Sequence, residues 1–411
     1  MTLSKISFII IDNTILIYPK LQDTLKVFFI PIVMEKARPN ITFFLPSLEP
    51  GGTERNVINL INNISNKYSP TLLLGKKEGD FVSNVKNAKI ISLNANSSFM
   101  MLVGLIRYLK RESPNIFVSA FPRINIISIL AKMLSGSKTK IIITEHSVFS
   151  FLPIIAKTFF RRLFAMVFMS YFAKFFYPKA DGVICVSGGI YDDLLKIVRN
   201  IKNASVIYNP IIDDKIYNLS NEKVNEEWFY EKTTPIIIAV GRLVECKDYP
   251  TLLEAFSILL QNRKAKLVIL GRGPEKDYLL KLSENLKISK QVQFMGFKEN
   301  PYKYMKNASV FVLSSSQEGF GNVIVEAMAC GVPVISTDCP TGPAEIIEDK
   351  KNGLLVRVGD YEDLAKKILY VLDNPEVAKN LSINGEKRAK DFLISSSVAS
   401  YENVFDKVIQ R

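Results

Sequence analysis

The run from 317 to 347, QEGFGNVIVEAMACGVPVISTDCPTGPAEII, holds a loop, a helix and a strand in quick succession. Ahead of it, Ala308 to Ser314 reads as a buried strand, and Gly319-Phe320-Gly321-Asn322 is the loop that follows. Val323 to Cys330 predicts a short helix that Gly331 stops, and Val332 to Ser336 predicts the next strand. Strand, loop, helix and parallel strand form the repeating unit of an α/β fold, in which a ligand lies where strands end and helices begin. Glu318 and Glu326 stand eight positions apart on either side of the glycines. That pair means nothing alone, but around this loop it is a way to present carboxylates and backbone amides to a phosphate-bearing ligand.

Outward from this unit the same rhythm recurs. Apolar runs at Ile41 to Leu45, Thr71 to Leu74, Ile90 to Leu93, Ile116 to Ala120, Lys140 to Thr144 and Gly182 to Val186 alternate with helical patterns such as Asn56 to Ile64 and Leu102 to Lys110. The series restarts at Ile236 to Val240, Lys266 to Leu270, Val292 to Met295 and Ser309 to Leu313. Two doubly wound α/β domains are expected, at 39–209 and 210–390, after an extension at 1–38 and before a terminal helix at 391–411. A hinge falls near Tyr208-Asn209-Pro210, and the polar segment Asp213 to Thr234 reads as a surface excursion whose Trp228-Phe229-Tyr230 cluster packs back onto a domain.

The 411 residues are too many for one ordinary core, since a domain takes roughly 150 residues. Residues 1–210 hold 26 Lys and Arg against 12 Asp and Glu, while 211–411 hold 27 against 28. A basic first half points to phosphate-rich partners or anionic lipid. No zinc-finger spacing or RNA-binding aromatic motif accompanies it, so no nucleic-acid partner is expected. Cys185, Cys246, Cys330 and Cys339 show no CxxC spacing, which reads as free thiols in a reducing cytoplasm. His146 is the only histidine, which argues against a zinc site or a serine-histidine hydrolase. In the extension, Ile6 to Ile11 and Val27 to Met34 are apolar runs too short to span a bilayer, and translation is expected to begin at Met34.

Three motifs carry a resemblance: Glu318-x7-Glu326 with its GFGN loop, Val240-Gly241-Arg242-Leu243 through Lys247-Asp248, and Pro50-Gly51-Gly52-Thr53-Glu54-Arg55. Together they resemble the family-four retaining glycosyltransferases over nearly the whole chain from about residue 40. The resemblance implies a GT-B fold, two Rossmann-like domains facing an interdomain cleft, with the donor held mainly by the second domain and the acceptor by the first. It also implies that residues 391–411 cross back to the first domain.

Departure of a diphosphate builds negative charge, which preorganised cations and amide dipoles stabilise. Arg242 and Lys247 resemble the family's diphosphate-binding pair; read by themselves they are also ordinary solvated cations at a helix start. Glu318 resembles the glutamate that contacts sugar hydroxyls near the reacting carbon, and Glu326 the one that accepts from the ribose hydroxyls. Gly319 and Gly321 permit the amides of Phe320, Gly321 and Asn322 to approach the phosphates. Gly51 and Gly52 would turn amides toward donor or acceptor, although a tight turn capped by Thr53 explains them as well. His146, in Thr144-Glu145-His146-Ser147, resembles the family histidine near the donor sugar, and Gly271 belongs to a loop near the nucleotide. No compelling DxD metal motif is present, so neither a metal nor a further cofactor is expected beside the nucleotide-sugar donor.

Phe149 to Tyr177 holds 11 aromatic residues in 29, with Lys157, Arg161, Arg162 and Lys174 among them and no acid. Such a stretch suits either a membrane interface or buried core helices; with the basic half, attachment to the inner face of the cytoplasmic membrane is expected. The function the resemblance implies is transfer of a hexose or N-acetylhexosamine from a UDP-sugar to a lipid-linked saccharide, UDP because the Cys339 to Glu345 segment resembles that of bacterial members using UDP-linked hexoses or N-acetylhexosamines. A UDP-sugar 2-epimerase of related fold and a noncatalytic subunit of a glycan assembly complex remain the alternatives.

Overall fold

A computed structural model describes residues 6–11, 14–19, 28–31, 38–149, 159–201, 203–231 and 233–411. The chain forms two compact units, Met1–Pro39 and Asn40–Arg411. In the first, β1 (Ile6–Ile11), β2 (Thr14–Pro19) and β3 (Phe28–Pro31) make an antiparallel sheet in that order. The expected start at Met34 lies outside the described residues.

The second unit holds two wholly parallel sheets. The first contains β4 (Asn40–Leu45), β5 (Ser69–Leu74), β6 (Lys89–Ser92), β7 (Ile116–Ala120), β8 (Lys140–Glu145), β9 (Gly182–Cys185) and β10 (Ala204–Val206), in the order β10-β9-β8-β7-β4-β5-β6. The second contains β11 (Ile236–Val240), β12 (Lys266–Leu270), β13 (Val292–Gly296), β14 (Val310–Leu313), β15 (Val334–Thr337) and β16 (Leu354–Val356), in the order β13-β12-β11-β14-β15-β16. In each, the third, second and first strands lie to one side of the fourth, fifth and sixth, which is the Rossmann order. The α/β architecture of two Rossmann-like halves is therefore present. Central strands are apolar on both faces because helices cover both: Ile41–Leu45 and Val310–Leu313 are buried throughout.

Several local expectations are corrected. Strands β10 and β16 went unread because each is only three residues long. The helix expected from Asn56 begins at Gly52, with Gly51 as its N-cap and no side-chain cap, so Thr53 sits inside the first turn and does not cap it. The polar excursion after 213 contains a helix, Asp214–Ser220, because the Asp213 carboxylate accepts from the amide of Lys215. Of the Trp228-Phe229-Tyr230 cluster, Phe229 is buried against Tyr304 while Tyr230 is exposed. The terminal helix expected at 391–411 starts later: Pro375–Ala389 ends, a short turn follows, and Ile394–Ile409 begins anew.

That last helix packs on the first sheet. Phe405 meets Phe43 and Tyr68 edge-on at 6.3 and 5.9 Å, and Val398, Tyr401 and Val408 join the same core as Ile41, Leu45, Ile142 and Ile184. Lys67 and Tyr68 bind Asp406 at 2.5 and 2.6 Å. Burying each of these large side chains is worth ~1.5–3 kcal/mol, so the contact is far from incidental.

The aromatic stretch divides between the two readings open to it. Residues 150–158 lie outside the description, and Phe159–Phe176 is a helix. Phe149, Phe176 and Tyr177 are core, whereas Phe168, Tyr171 and Phe175 are exposed. No helix among the described residues is long and apolar enough to cross a membrane.

Candidate active site

In each sheet the chain reverses direction of travel beside its first strand, between β4 and β7 and between β11 and β14. A crevice opens at such switch points. Here the loops at the carboxyl ends of both sheets line a single cavity of about 550 Å³, a size that suits a small organic ligand. One wall carries Gly51, Gly52 and Arg55 after β4, with His146 after β8. The other carries Arg242 and Lys247 after β11, Gly271 after β12, and Glu318 through Asn322 with Glu326 after β14. All twelve residues singled out from the sequence thus reach one cavity.

Glu318 and Lys247 form its tightest charged contact. The Lys247 ammonium lies 2.5 Å from Glu318 Oε1, which also accepts from Ser315 Oγ at 2.7 Å. The Lys247 carbonyl in turn accepts from Ser314 Oγ at 2.9 Å, and Thr341 Oγ1 donates to the Glu318 carbonyl. Both the cation and the carboxylate are thereby fixed from the backbone outward. Glu318 Oε2 accepts no hydrogen bond among the described residues.

The loop after Glu318 is held by the opposite wall. An ideal Cβ at Gly319 would lie 2.0 Å from the His146 carbonyl oxygen, so only glycine allows the two walls this close. Ser187 Oγ donates to the Gly319 carbonyl at 2.8 Å. Gly321 is the N-cap of the helix Asn322–Ala329. The Asn322 side chain donates to Asn56 and accepts from Asn209, each at 2.8 Å. Tyr208 stacks on Phe320 at 5.1 Å, and the Glu345 carboxylate accepts from the amides of Gly188 and Gly189 at 2.7 and 2.9 Å. Behind Arg242, Gly271 has φ +151, and a Cβ there would strike the Gly241 carbonyl.

Glu326 is buried, at 4% exposure, and its Oε1 lies 3.3 Å from Arg55 Nη1, which also donates to Tyr302 at 3.0 Å. His146 Nε2 lies 3.0 Å from Thr144 Oγ1, and burial pulls the imidazole pKa down to about 4, so the ring is neutral near pH 7. Beside it, Glu145 is wholly buried; Tyr177 and Asn125 donate to its Oε1, and burial pushes its carboxyl up to about 8. The chemical capacity of the cavity is that of a cationic, amide-lined pocket with two fixed carboxylates and one neutral imidazole.

Sequence reasoning passed over Ser315, Tyr302, Asn209 and the side chain of Arg55. Arg55 had a signal in its place in the Pro50 to Arg55 motif and Asn209 only its place at the hinge; Ser315 follows a strand and Tyr302 opens the short helix Tyr302–Lys306, with nothing in the sequence to mark either.

Residues 50–215 match the family described as Glycosyltransferase Family 4, and residues 220–388 the one described as Glycosyl transferases group 1. A Campylobacter jejuni relative, N-acetylgalactosamine-N,N′-diacetylbacillosaminyl-diphospho-undecaprenol 4-alpha-N-acetylgalactosaminyltransferase, is 29% identical over 85% of this chain and 94% of its own length. A second relative from that organism, an alpha-1,4-N-acetyl-D-galactosaminyltransferase acting on GalNAc-alpha-(1->4)-GalNAc-alpha-(1->3)-diNAcBac-PP-undecaprenol, is 28% identical over 86% and 95%. Among solved structures, Anabaena HepE in complex with UDP-glucose superposes with a TM-score of 0.76 at 18% identity, over 90% of this chain and 100% of that one.

Proposed function

Because the chain belongs to the family-four glycosyltransferases, enzymes of the GT-B fold, we propose that it transfers a sugar with retention from a UDP-sugar to a hydroxyl of a lipid-linked saccharide. The product would be a surface polysaccharide or related glycan. The observation that carries the reading is the Lys247–Glu318 pair beside the N-terminus of the Asn322–Ala329 helix, at the floor of a cavity shared by both halves. The two Campylobacter relatives support an N-acetylhexosamine as the sugar and a polyprenyl diphosphate-linked acceptor. HepE with UDP-glucose supports UDP.

In this reading Arg242 and Lys247 hold the diphosphate together with the amides of Phe320, Gly321 and Asn322, with no divalent ion and no further cofactor. Glu318 orients the sugar and stabilises positive charge as the bond to the leaving group lengthens; it forms no covalent intermediate. Attack comes from the face the diphosphate leaves, and the departing oxygen takes the proton of the acceptor hydroxyl. Neutral His146 sits against the sugar as a hydrogen-bonding group, and Glu326 accepts from the ribose. Gly51, Gly52 and Gly271 let backbone approach donor and acceptor closely.

The acceptor's lipid calls for a membrane surface. Helices Ser98–Glu112, Pro122–Ser135 and Phe159–Phe176 pack side by side and expose Phe99, Met133, Leu134, Phe168, Tyr171 and Phe175. Exposed Arg123, Lys174 and Lys179 stand among them. Exposed apolar side chains accompanied by exposed cations, Lys179 lying 4.6 Å over the ring of Phe175, suit peripheral attachment to the anionic inner leaflet of the cytoplasmic membrane.

The deciding experiment is nucleotide release by the purified protein from a panel of nucleotide sugars, with and without a polyprenyl-linked glycan extract. Acceptor-dependent release of UDP from one donor is expected. Isomerisation of the donor without any acceptor would overturn the reading.

A further inference from the structure

Arg55 belongs to one half of the molecule by chain position and to the other by contact. It lies in the first turns of Gly52–Asn63, the helix that follows β4, and its guanidinium carbon sits 5.4 Å over the ring of Phe81 in the same half. Yet its Nη1 reaches Tyr302 at 3.0 Å and Glu326 at 3.3 Å, both on the opposite wall. Glu326 needs that reach. It is 4% exposed on a helix whose neighbouring Ile324, Val325, Ala327 and Met328 are all buried, and its carboxylate accepts from no other group among the described residues. A carboxylate so enclosed is costly without a partner, and an unanswered one would draw in water or a counterion at the place where it should meet a ligand.

From this geometry we propose that Arg55 is a positioning residue that the acceptor-side half contributes to the nucleotide site. It holds the Glu326 carboxylate in one orientation, with Oε1 engaged and Oε2 left for the ribose diol. Tyr302 fixes the guanidinium from the far side. Nucleotide affinity then depends on the two halves being closed on each other, because the half that carries the ribose carboxylate does not carry its counter-charge. Nη1 alone makes both contacts, so a lysine in this place would supply the charge and a donor, but from a shorter, flexible stem without the planar group that rests over Phe81. The inference rests on reading Glu326 as the ribose-binding carboxylate.

The test is calorimetric binding of UDP and of 2′-deoxy-UDP to the full chain, in the unmodified protein and in Arg55→Ala, Arg55→Lys, Glu326→Ala and the double variant Arg55→Ala/Glu326→Ala. Arg55→Ala is expected to weaken UDP binding about tenfold and to erase the preference for UDP over 2′-deoxy-UDP, as a charged hydrogen bond of this kind is worth. Arg55→Lys should restore part of the preference, and the double variant should bind no worse than Glu326→Ala. A preference that survives Arg55→Ala, or losses that simply add in the double variant, would overturn the role. Should Glu326→Ala itself leave both affinity and preference intact, it is the ribose reading of Glu326 that fails, a distinct result. If Arg55→Ala does not fold, Tyr302→Phe carries the same test: a reduced preference upholds the role and an unchanged one overturns it.

Discussion

The two halves share one strand order and almost nothing else. The first, residues 40–210, holds 21 Lys and Arg against 9 Asp and Glu, and among the described residues all its exposed large apolar side chains but Val206 lie on three adjoining helices; the second is nearly neutral. Their buried acids differ as sharply. Glu145, in the first half, has neutral donors for partners, Tyr177 and Asn125, and its Oε2 has none among the described residues. Glu326, in the second, is answered by a cation from across the cavity. A common backbone has thus been given two chemistries: one half presents a surface, the other presents loops, and the charge that completes the second is on loan from the first. That is consistent with topology setting where a site lies while the loops decide what it does.

The largest effect expected is on the one element that breaks the symmetry. Phe405→Ala should cost ~3–5 kcal/mol of stability by emptying a fully buried aromatic site, although residue 405 is remote in sequence from the sheet it covers. Chemical denaturation giving a loss under about 1 kcal/mol would show that the halves stand independently.

The buried acid of the first half should make stability depend on pH. Its carboxyl titrates at about 8 in the folded chain against 4.5 when unfolded, so between those values the unfolded chain has released a proton that the folded one keeps. Stability therefore falls as pH rises from about 4.5 to about 8 and levels off above, by up to roughly 5 kcal/mol. Glu145→Gln should remove that slope in urea titrations at pH 5, 6.5 and 8; an unchanged slope would assign it to other groups.

In the second half the effect should be on turnover. Glu318→Ala or Lys247→Ala is expected to lower UDP release about 100-fold, the scale of losing one charge-stabilising group, with folding retained. Near-normal turnover in either would remove that residue from the reaction.

The smallest and most selective effect concerns the surfaces. Phe168→Glu or Phe175→Glu should cut co-flotation with anionic vesicles about tenfold at low salt, while Tyr278→Glu and Tyr370→Glu, equally exposed aromatics of the second half, should not. Equal losses from both halves, or no flotation of the unmodified protein, would abolish the proposed division of labour.

What could be read in advance follows from how local each signal is. The Glu318 to Ile335 segment was transparent because glycines, an apolar helix and a β-branched strand all fall within twenty positions. Strand β16 was opaque because Leu354–Val356 is too short to establish a period. Thr53 misled because a hydroxyl after two glycines imitates a cap, while the backbone of Gly51 already has the extended conformation a cap requires. The aromatic helix could not be apportioned between core and surface, since which of Phe175 and Phe176 faces inward depends on the helices packed beside it. Arg55 and Glu326 are 271 positions apart, and no periodicity spans such a gap.

The helix Ile394–Ile409 also sets an order in time. A ribosome has made all seven strands of the first sheet by residue 206, but Val398, Tyr401, Phe405 and Val408, which share the cover of one face with the helix Gly52–Asn63, come some 200 residues later. At roughly 5–20 residues per second that face waits on the order of 10–40 s before its cover emerges. The nascent chain must spend that interval with an unfinished core, a natural substrate for chaperones, and loss of Ile394–Ile409 would damage the part of the protein that was made first.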